Sequence, residues 1–159
     1  WDVHTFMVPV IGHEHGISAS AIGAVLGVFA LSAALIRLLL PRIAARFPEW
    51  KILGVAMLMT GLLLGIYPFM DQAWTMGALS ACLGLFLGAV QPMVMSALHQ
   101  VTPHDRQGQA LGLRLMTINV SSVSMPLIFG AASAALGSGP VFWIMATSVT
   151  LGSRLARKL

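Results

Sequence analysis

Arg114, Thr117, Ser121 and Ser124 stand three, four and three residues apart. At 100° per residue, a helix through them carries all four on one stripe. Hydrocarbon cannot satisfy such a stripe, so in an apolar setting it faces protein or a wet cavity. A guanidinium held there is costly and marks a functional path by default. The alternative is that Arg114 snorkels to headgroups or locks a loop carbonyl. Gln91, in the preceding apolar run, lies at a similar depth, about two turns in from the same end. A Gln91–Arg114 contact is expected, against a plain helix cross-link through Gln91. Pro92 beside it frees a carbonyl and can kink that helix. Ser80, Gly84 and Gln91 share a face, so this helix too is expected to line a cavity.

At the start of the chain, WDVHTF holds Asp2, His4 and Thr5. If Ile11 marks one end of that helix, Asp2 lies roughly 13 Å deeper at 1.5 Å per residue. A carboxylate at that depth can exchange a proton, with desolvation opposing its ionisation and a nearby Arg favouring it. The alternative is that Asp2 sits at an interface. Asp2, Thr5 and Pro9 share one face, and His4 points elsewhere. His13, Glu14 and His15 form an H-E-H run, but no further ligand follows at helical spacing, so a solvated turn is expected and no metal. The Met57/Met59 and Met93/Met95 pairs are two apart and do not share a helix face, which favours packing over soft-metal binding. No nucleophile–base arrangement, phosphate-cradling loop or carboxylate pair is present, so neither an enzyme nor a cofactor is expected.

The elements that hold these residues are set by an unusual composition. Hydrophobic residues make up 57% of the 159 and charged residues 9%, against ordinary shares of about 45–50% and 25%. The mean hydropathy is +0.86. So few charges cannot cover a water-exposed surface, and the bilayer is the solvent that fits. A membrane helix needs about 20 apolar residues. The runs predict an all-α, polytopic transmembrane bundle in a single domain, 1–159. Helices are expected over about 17–39, 52–70, 73–98, 107–136 and 141–156, with 1–11 a partial helix. That is five complete spans plus a truncated sixth. The opening Trp1 reads as a cut through something longer, and no signal peptide is evident. Cys82 is the only cysteine and is expected to be a small packing residue.

The charge pattern orients the bundle. The net charge is +4, but the basic residues sit between apolar runs without a contiguous patch, which argues against nucleic acid. With connections alternating across the membrane, Arg37, Arg42, Arg46 and Lys51 fall on one side. Arg106, Arg114, Arg154, Arg157 and Lys158 join them there. The HEHG, DQAW and GSGP connections opposite contain no Lys or Arg. The positive-inside rule makes the basic side, with the C-terminus, cytoplasmic. Glycine pairs at Gly23/Gly27, Gly61/Gly65, Gly84/Gly88 and Gly108/Gly112 permit close helix approach and argue for a compact bundle.

The order of features resembles the C-terminal half of a major facilitator superfamily transporter, from late in its seventh helix through its twelfth. GISASAIG, Gly16 to Gly23, is similar to the entry into the eighth helix. PRIAARFPEWKIL, Pro41 to Leu53, stands where the family repeats its G-x-x-x-D-R-x-G-R-R cytoplasmic loop. Ala44, Arg46 and Lys51 match; Pro41, Ala45 and Pro48 replace the first glycine, the aspartate and the second glycine. TPHDRQGQALGL, Thr102 to Leu113, is similar to the loop before the eleventh helix, with Pro103, Arg106, Gly108, Ala110 and Gly112 in place. MPLIFG, with Pro126 and Gly130, fits that helix's end.

The resemblance implies a half of a twelve-helix secondary transporter that carries a small molecule by alternating access, completed by an N-terminal half of the same chain. The implied setting is a bacterial plasma (inner) membrane. Protons are the expected coupling ion, with Asp2, Thr5, Gln91, Arg114, Thr117, Ser121 and Ser124 as the pathway. Arg42, Arg46, Lys51 and Arg106 are the expected gating-loop residues. A non-transporting membrane scaffold, with the polar stripe sealed, is the alternative, followed by an intramembrane enzyme.

Overall fold

A computed structural model describes residues 1–155 and is helical almost throughout. Six helices follow in order: α1 (Asp2–Glu14), α2 (Ala19–Ala44), α3 (Glu49–Ile66), α4 (Ala73–Val101), α5 (Gln107–Leu136) and α6 (Ser138–Leu155). The ends of α1 and α5 are set by glycines with positive φ, Gly16 at 69° and Gly137 at 86°. That left-handed region costs glycine least. Ser18 caps α2, its hydroxyl accepting from the Ala21 N–H at 3.3 Å.

Several bounds differ from the sequence expectation. Helix α2 runs on past residue 39 through Pro41, which sits in its last turn. The lost hydrogen bond is a local cost there and does not end the helix. Helix α3 starts at Glu49 rather than 52, with Pro48 as its N-cap residue and an acidic side chain in the first turn, where the helix dipole favours it. Helix α6 starts at Ser138 rather than 141, because Pro140 falls in the first turn, where no N–H is needed. Arg157 and Lys158, and the expected end of this helix at 156, lie outside the described residues.

Four helices among the described residues are long and apolar enough to span a membrane: Ala19–Ala44, Glu49–Phe69, Ala73–Val101 and His104–Leu136. The expected fifth, α6, does not reach that apolarity. Its 18 residues include three Ser, two Thr, two Gly, a Pro and an Arg. Large apolar side chains nonetheless face outward over the bundle, with Leu38 75% and Leu127 72% exposed. This is the pattern of a protein solvated by lipid.

The helices form a ring. Helix α4 packs between α2 and α3, α6 packs on α3, and α5 and α1 close the circuit from α6 back to α2. Contacts fix the directions. Gly77 faces Val25, and Gly88 faces Ala33 and Ile36, so α2 and α4 run parallel. Glu49 reaches Ser96 and Gln100, so α3 is antiparallel to α4. Gly61 meets Thr150 while Gly152 meets Met57, so α6 is antiparallel to α3. Connections therefore alternate between two ends. The α2–α3 and α4–α5 connections, with Arg42, Arg46, Lys51 and Arg106, share one end. His15, Asp71 and Ser138 share the other.

The core is built on Met7, Phe29, Tyr67, Met76, Leu83 and Phe142. Two of the four glycine pairs are at close contacts. A Cβ on Gly88 would lie 2.6 Å from Ile36 Cγ2 and 2.7 Å from the Ala33 carbonyl oxygen, and Gly84 is crowded by Phe29 and Ser32. Gly61 and Gly65 meet Ala146 on α6. Gly23, Gly27, Gly108 and Gly112 face open space instead. Sequence spacing cannot separate the two kinds, because both pairs recur every fourth residue. Gly88→Ala should lower the thermal midpoint by the equivalent of about 1–3 kcal/mol from overpacking. Gly54→Ala, with nothing around it, should hold or raise it through helix propensity. An unchanged midpoint for Gly88→Ala would refute the close α2–α4 approach.

Candidate functional site: a polar cavity between α1, α2, α4 and α5

Helix α5 is the least buried of the spans, with Phe129 its one buried residue among those described. Its polar stripe therefore stands away from α4 and opens a cavity of about 630 Å³. The lining combines Asp2 from α1, Arg37 from α2, Gln91 from α4, and Thr117, Ser121 and Ser122 from α5. Arg114 lines an adjoining cleft of about 450 Å³ that shares Gln91, Thr117 and Ile118. Across the mouth, the Arg114 guanidinium donates to Gln91 Oε1 at 2.5 Å. This is the contact expected from their equal depth. It joins two helices that otherwise touch little.

The stripe is not uniformly engaged. Thr117 Oγ1 donates to its own helix at the Leu113 carbonyl, 2.9 Å away. Ser121 is half-buried at the cavity wall. Ser124, also half-buried, lies outside the lining, and Ser122 takes its place. Ser122 Oγ reaches Asp2 Oδ2 at 3.4 Å, a long bond that ties α5 to α1. Thr5 is exposed and donates back to the Trp1 and Asp2 carbonyls at 3.4 and 3.3 Å. It lines neither cavity that Asp2 lines, although the two were expected on one face, because its hydroxyl is turned back to its own helix.

Two polar residues have surroundings that the sequence did not reveal. Arg37 was counted with the basic connection, two residues before the expected helix end at 39. Since α2 continues to Ala44, Arg37 lies about two turns inside. It donates from Nε to the Gly88 carbonyl at 3.4 Å and lies 5.9 Å from the Trp1 ring centroid. The signal that finds it is a lysine- and glycine-free LLLPRIA run that can stay helical through a last-turn proline. The second is His4. It points inward, as its position off the Asp2 face requires, and is fully buried. Its Nε2 lies 2.9 Å from Ser80 Oγ, which lies 2.9 Å from Tyr67 Oη. Its ring stacks on Phe29 at 4.0 Å. Ser80 therefore belongs to the core and not to the cavity it was expected to line with Gln91. Helix α1 covers α4 at the level of Ser80, and its first residues leave Gln91 open.

The charged loops make few ion pairs. Arg106 sits 3.8 Å from its neighbour Asp105, both well exposed, an arrangement worth little in water. Arg42 and Arg46 are exposed. Lys51 stands over Trp50 at 5.3 Å. At the opposite end, the H-E-H run closes α1: Ser138 donates to Glu14 at 2.6 Å, and His15 lies 3.7 Å from Asp71. These contacts tie the outer ends of three helices. Among the described residues, no three His, Cys, Asp or Glu side chains gather as a metal site would require. Cys82 is exposed, contrary to its expected packing role; on α4 it faces away from the neighbouring helices.

The family model of the Major Facilitator Superfamily matches residues 1–156. The chain belongs to that superfamily. This major facilitator chain is accordingly an integral membrane protein of the transporter kind, acting on small molecules within the membrane. No curated protein and no solved structure matches it. The match runs through all six helices, so the cavity-bearing α1, α2, α4 and α5 all fall inside it.

Proposed function

We propose that this chain forms one half of a proton-coupled secondary transporter that carries a small polar solute by alternating access. The polar cavity carries the reading. It sets one carboxylate, one guanidinium and several hydroxyl and amide groups on a surface that α5 leaves unsealed. Polar groups at such depth are kept where they face water, substrate or a partner. The uncovered glycine pairs on α2 and α5 support a second helical half that closes over this face, since small residues are where helices approach in lipid. The basic end would be cytoplasmic, in a bacterial inner membrane. Arg42, Arg46 and Arg106 would then meet the other half at the inner gate, with Lys51 in the same connection turned to the α2–α3–α4 side. Thr5 and Ser124 would join the pathway from the cavity's edges. A sealed scaffold is the competing reading, and the open lining disfavours it.

Cysteine accessibility separates the two readings without knowledge of the solute. With Cys82 replaced by alanine, Ser121→Cys in the full-length protein should react with a membrane-impermeant maleimide, and its rate should change when a pH gradient is imposed. A scaffold predicts no labelling from either side. Coupling is a distinct question. Asp2→Asn should abolish the response of labelling and of transport to the pH gradient while leaving downhill exchange in place. Gradient-driven accumulation by the Asn variant would remove Asp2 from the coupling role.

A further inference from the structure

A second recess lies on the other side of the bundle, at its basic end. Helices α2 and α3 both pack on α4, and between them runs a groove of about 510 Å³ with α4 as its floor. Its walls are apolar: Ile36 and Leu40 from α2, Ile52 and Val55 from α3, Leu85 and Phe86 from α4. One charged residue, Lys51, lines it, at the end where the α2–α3 connection closes the groove. The lined part of α2, Ile36 to Ile43, is about 10 Å long at 1.5 Å per residue. A leaflet's hydrocarbon is roughly 15 Å deep, half of the ~30 Å core. The groove thus covers most of the depth that an acyl chain occupies.

Lys51 lines the groove, with Arg42 and Arg46 in the same connection, and the charges there are unbalanced. Arg42, Arg46 and Lys51 have no carboxylate within ion-pair distance among the described residues. Glu49, the acid in the same stretch, is turned to α4, where Oε1 accepts from Ser96 at 2.5 Å and Gln100 at 2.7 Å. Trp50 and Phe47, 41% and 53% exposed, stand at the level where aromatic rings meet headgroups. Exposed aromatics, unpaired cations and an apolar trough beneath them follow the order of groups in a phospholipid.

We infer that the α2–α3–α4 groove is a binding site for an anionic glycerophospholipid, with one acyl chain along the groove and the phosphate at Lys51. Phosphate attracts a basic side chain in any lipid, but a net negative headgroup adds to it. One cation near the surface is worth about a fivefold preference for an anionic over a zwitterionic lipid. The site is independent of the polar cavity and of whether the protein transports.

The test is native mass spectrometry of the purified full-length protein in mixed micelles. These contain equal amounts of phosphatidylglycerol and phosphatidylcholine with identical acyl chains. The expected result is one retained phosphatidylglycerol, favoured about fivefold, with the preference lost in Lys51→Gln. Val55→Trp, at an outward-facing groove position, should reduce retention of both lipids. Circular dichroism of both variants checks that the helices persist; a variant that loses them is replaced by Lys51→Met or Val55→Phe. Equal retention of the two lipids by the native protein would overturn the headgroup assignment. Retention unaffected by Val55→Trp, or a bound phosphate displaced by inorganic phosphate with no lipid attached, would overturn the groove.

Discussion

Replacing Arg114 with alanine is expected to slow transport by the reconstituted full-length protein at least about tenfold while leaving its thermal midpoint nearly unchanged. The size follows from the bond it makes. A hydrogen bond with a charged partner is worth about 1.5–3 kcal/mol, and each 1.36 kcal/mol is a factor of ten in rate. The Gln91–Arg114 bond spans the gap between α4 and α5. Helix α5 buries only Phe129 among its described residues, so little else fixes its distance from α4. The midpoint should fall little, because the pair is exposed, so water replaces the lost bond in the folded protein, and Arg114 packs into no core cluster. Arg114→Lys should not restore the rate, since a point-charge ammonium cannot present the planar fork that reaches the amide oxygen and a solute together. Initial rates in proteoliposomes, read beside unfolding midpoints, check this. A full rate in Arg114→Ala, or a large drop in midpoint, would reassign Arg114 to a structural tie.

Ser80→Ala is expected to do the opposite, with a large loss of stability from the removal of one oxygen. That hydroxyl is the shared partner of His4 Nε2 and Tyr67 Oη, each at 2.9 Å. All three residues are buried, so alanine leaves two polar groups without a partner. Each such orphan costs about 1–3 kcal/mol, giving roughly 2–6 kcal/mol for the pair. Ser80→Thr keeps the hydroxyl and should recover most of it. Changing Ser20, an exposed serine on α2, is the control for losing a serine from a helix. The midpoint of the Ser80→Ala protein decides the matter: a shift no greater than that of Ser20→Ala would mean the network carries no weight.

How legible this protein was depends on the scale of the question. The four spanning helices were readable because each is an apolar run longer than a soluble helix would tolerate, bounded by charge or by a turn. The polar stripe on α5 was readable because its period matches that of the helix. The Arg114–Gln91 contact followed from depth alone. What spacing could not supply is which neighbour covers a given face at a given height. Ser80 and Gln91 share a face of α4, yet one meets His4 and the other meets water-accessible space. Gly27 and Gly88 have the same four-residue pairing, yet one looks outward and the other meets the Ala33 backbone. Arg37 was set too near the helix end, expected at 39, whereas the helix runs on through Pro41 to Ala44. The shortfall in α6 has a related cause. A charge-free stretch was counted as a span, although its serines and threonines dilute it.

The glycine contacts between α2 and α4 have a practical consequence for watching this protein move. Where backbone meets backbone, there is no side chain whose rotamer could absorb a change in spacing. The interval between these two helices should therefore be constant whatever the rest of the bundle does. A pair of spin labels on their outward faces would act as an internal ruler, reading one narrow distance under every condition. A third label on α5 would then report displacement against a fixed baseline, with orientation and detergent effects already subtracted.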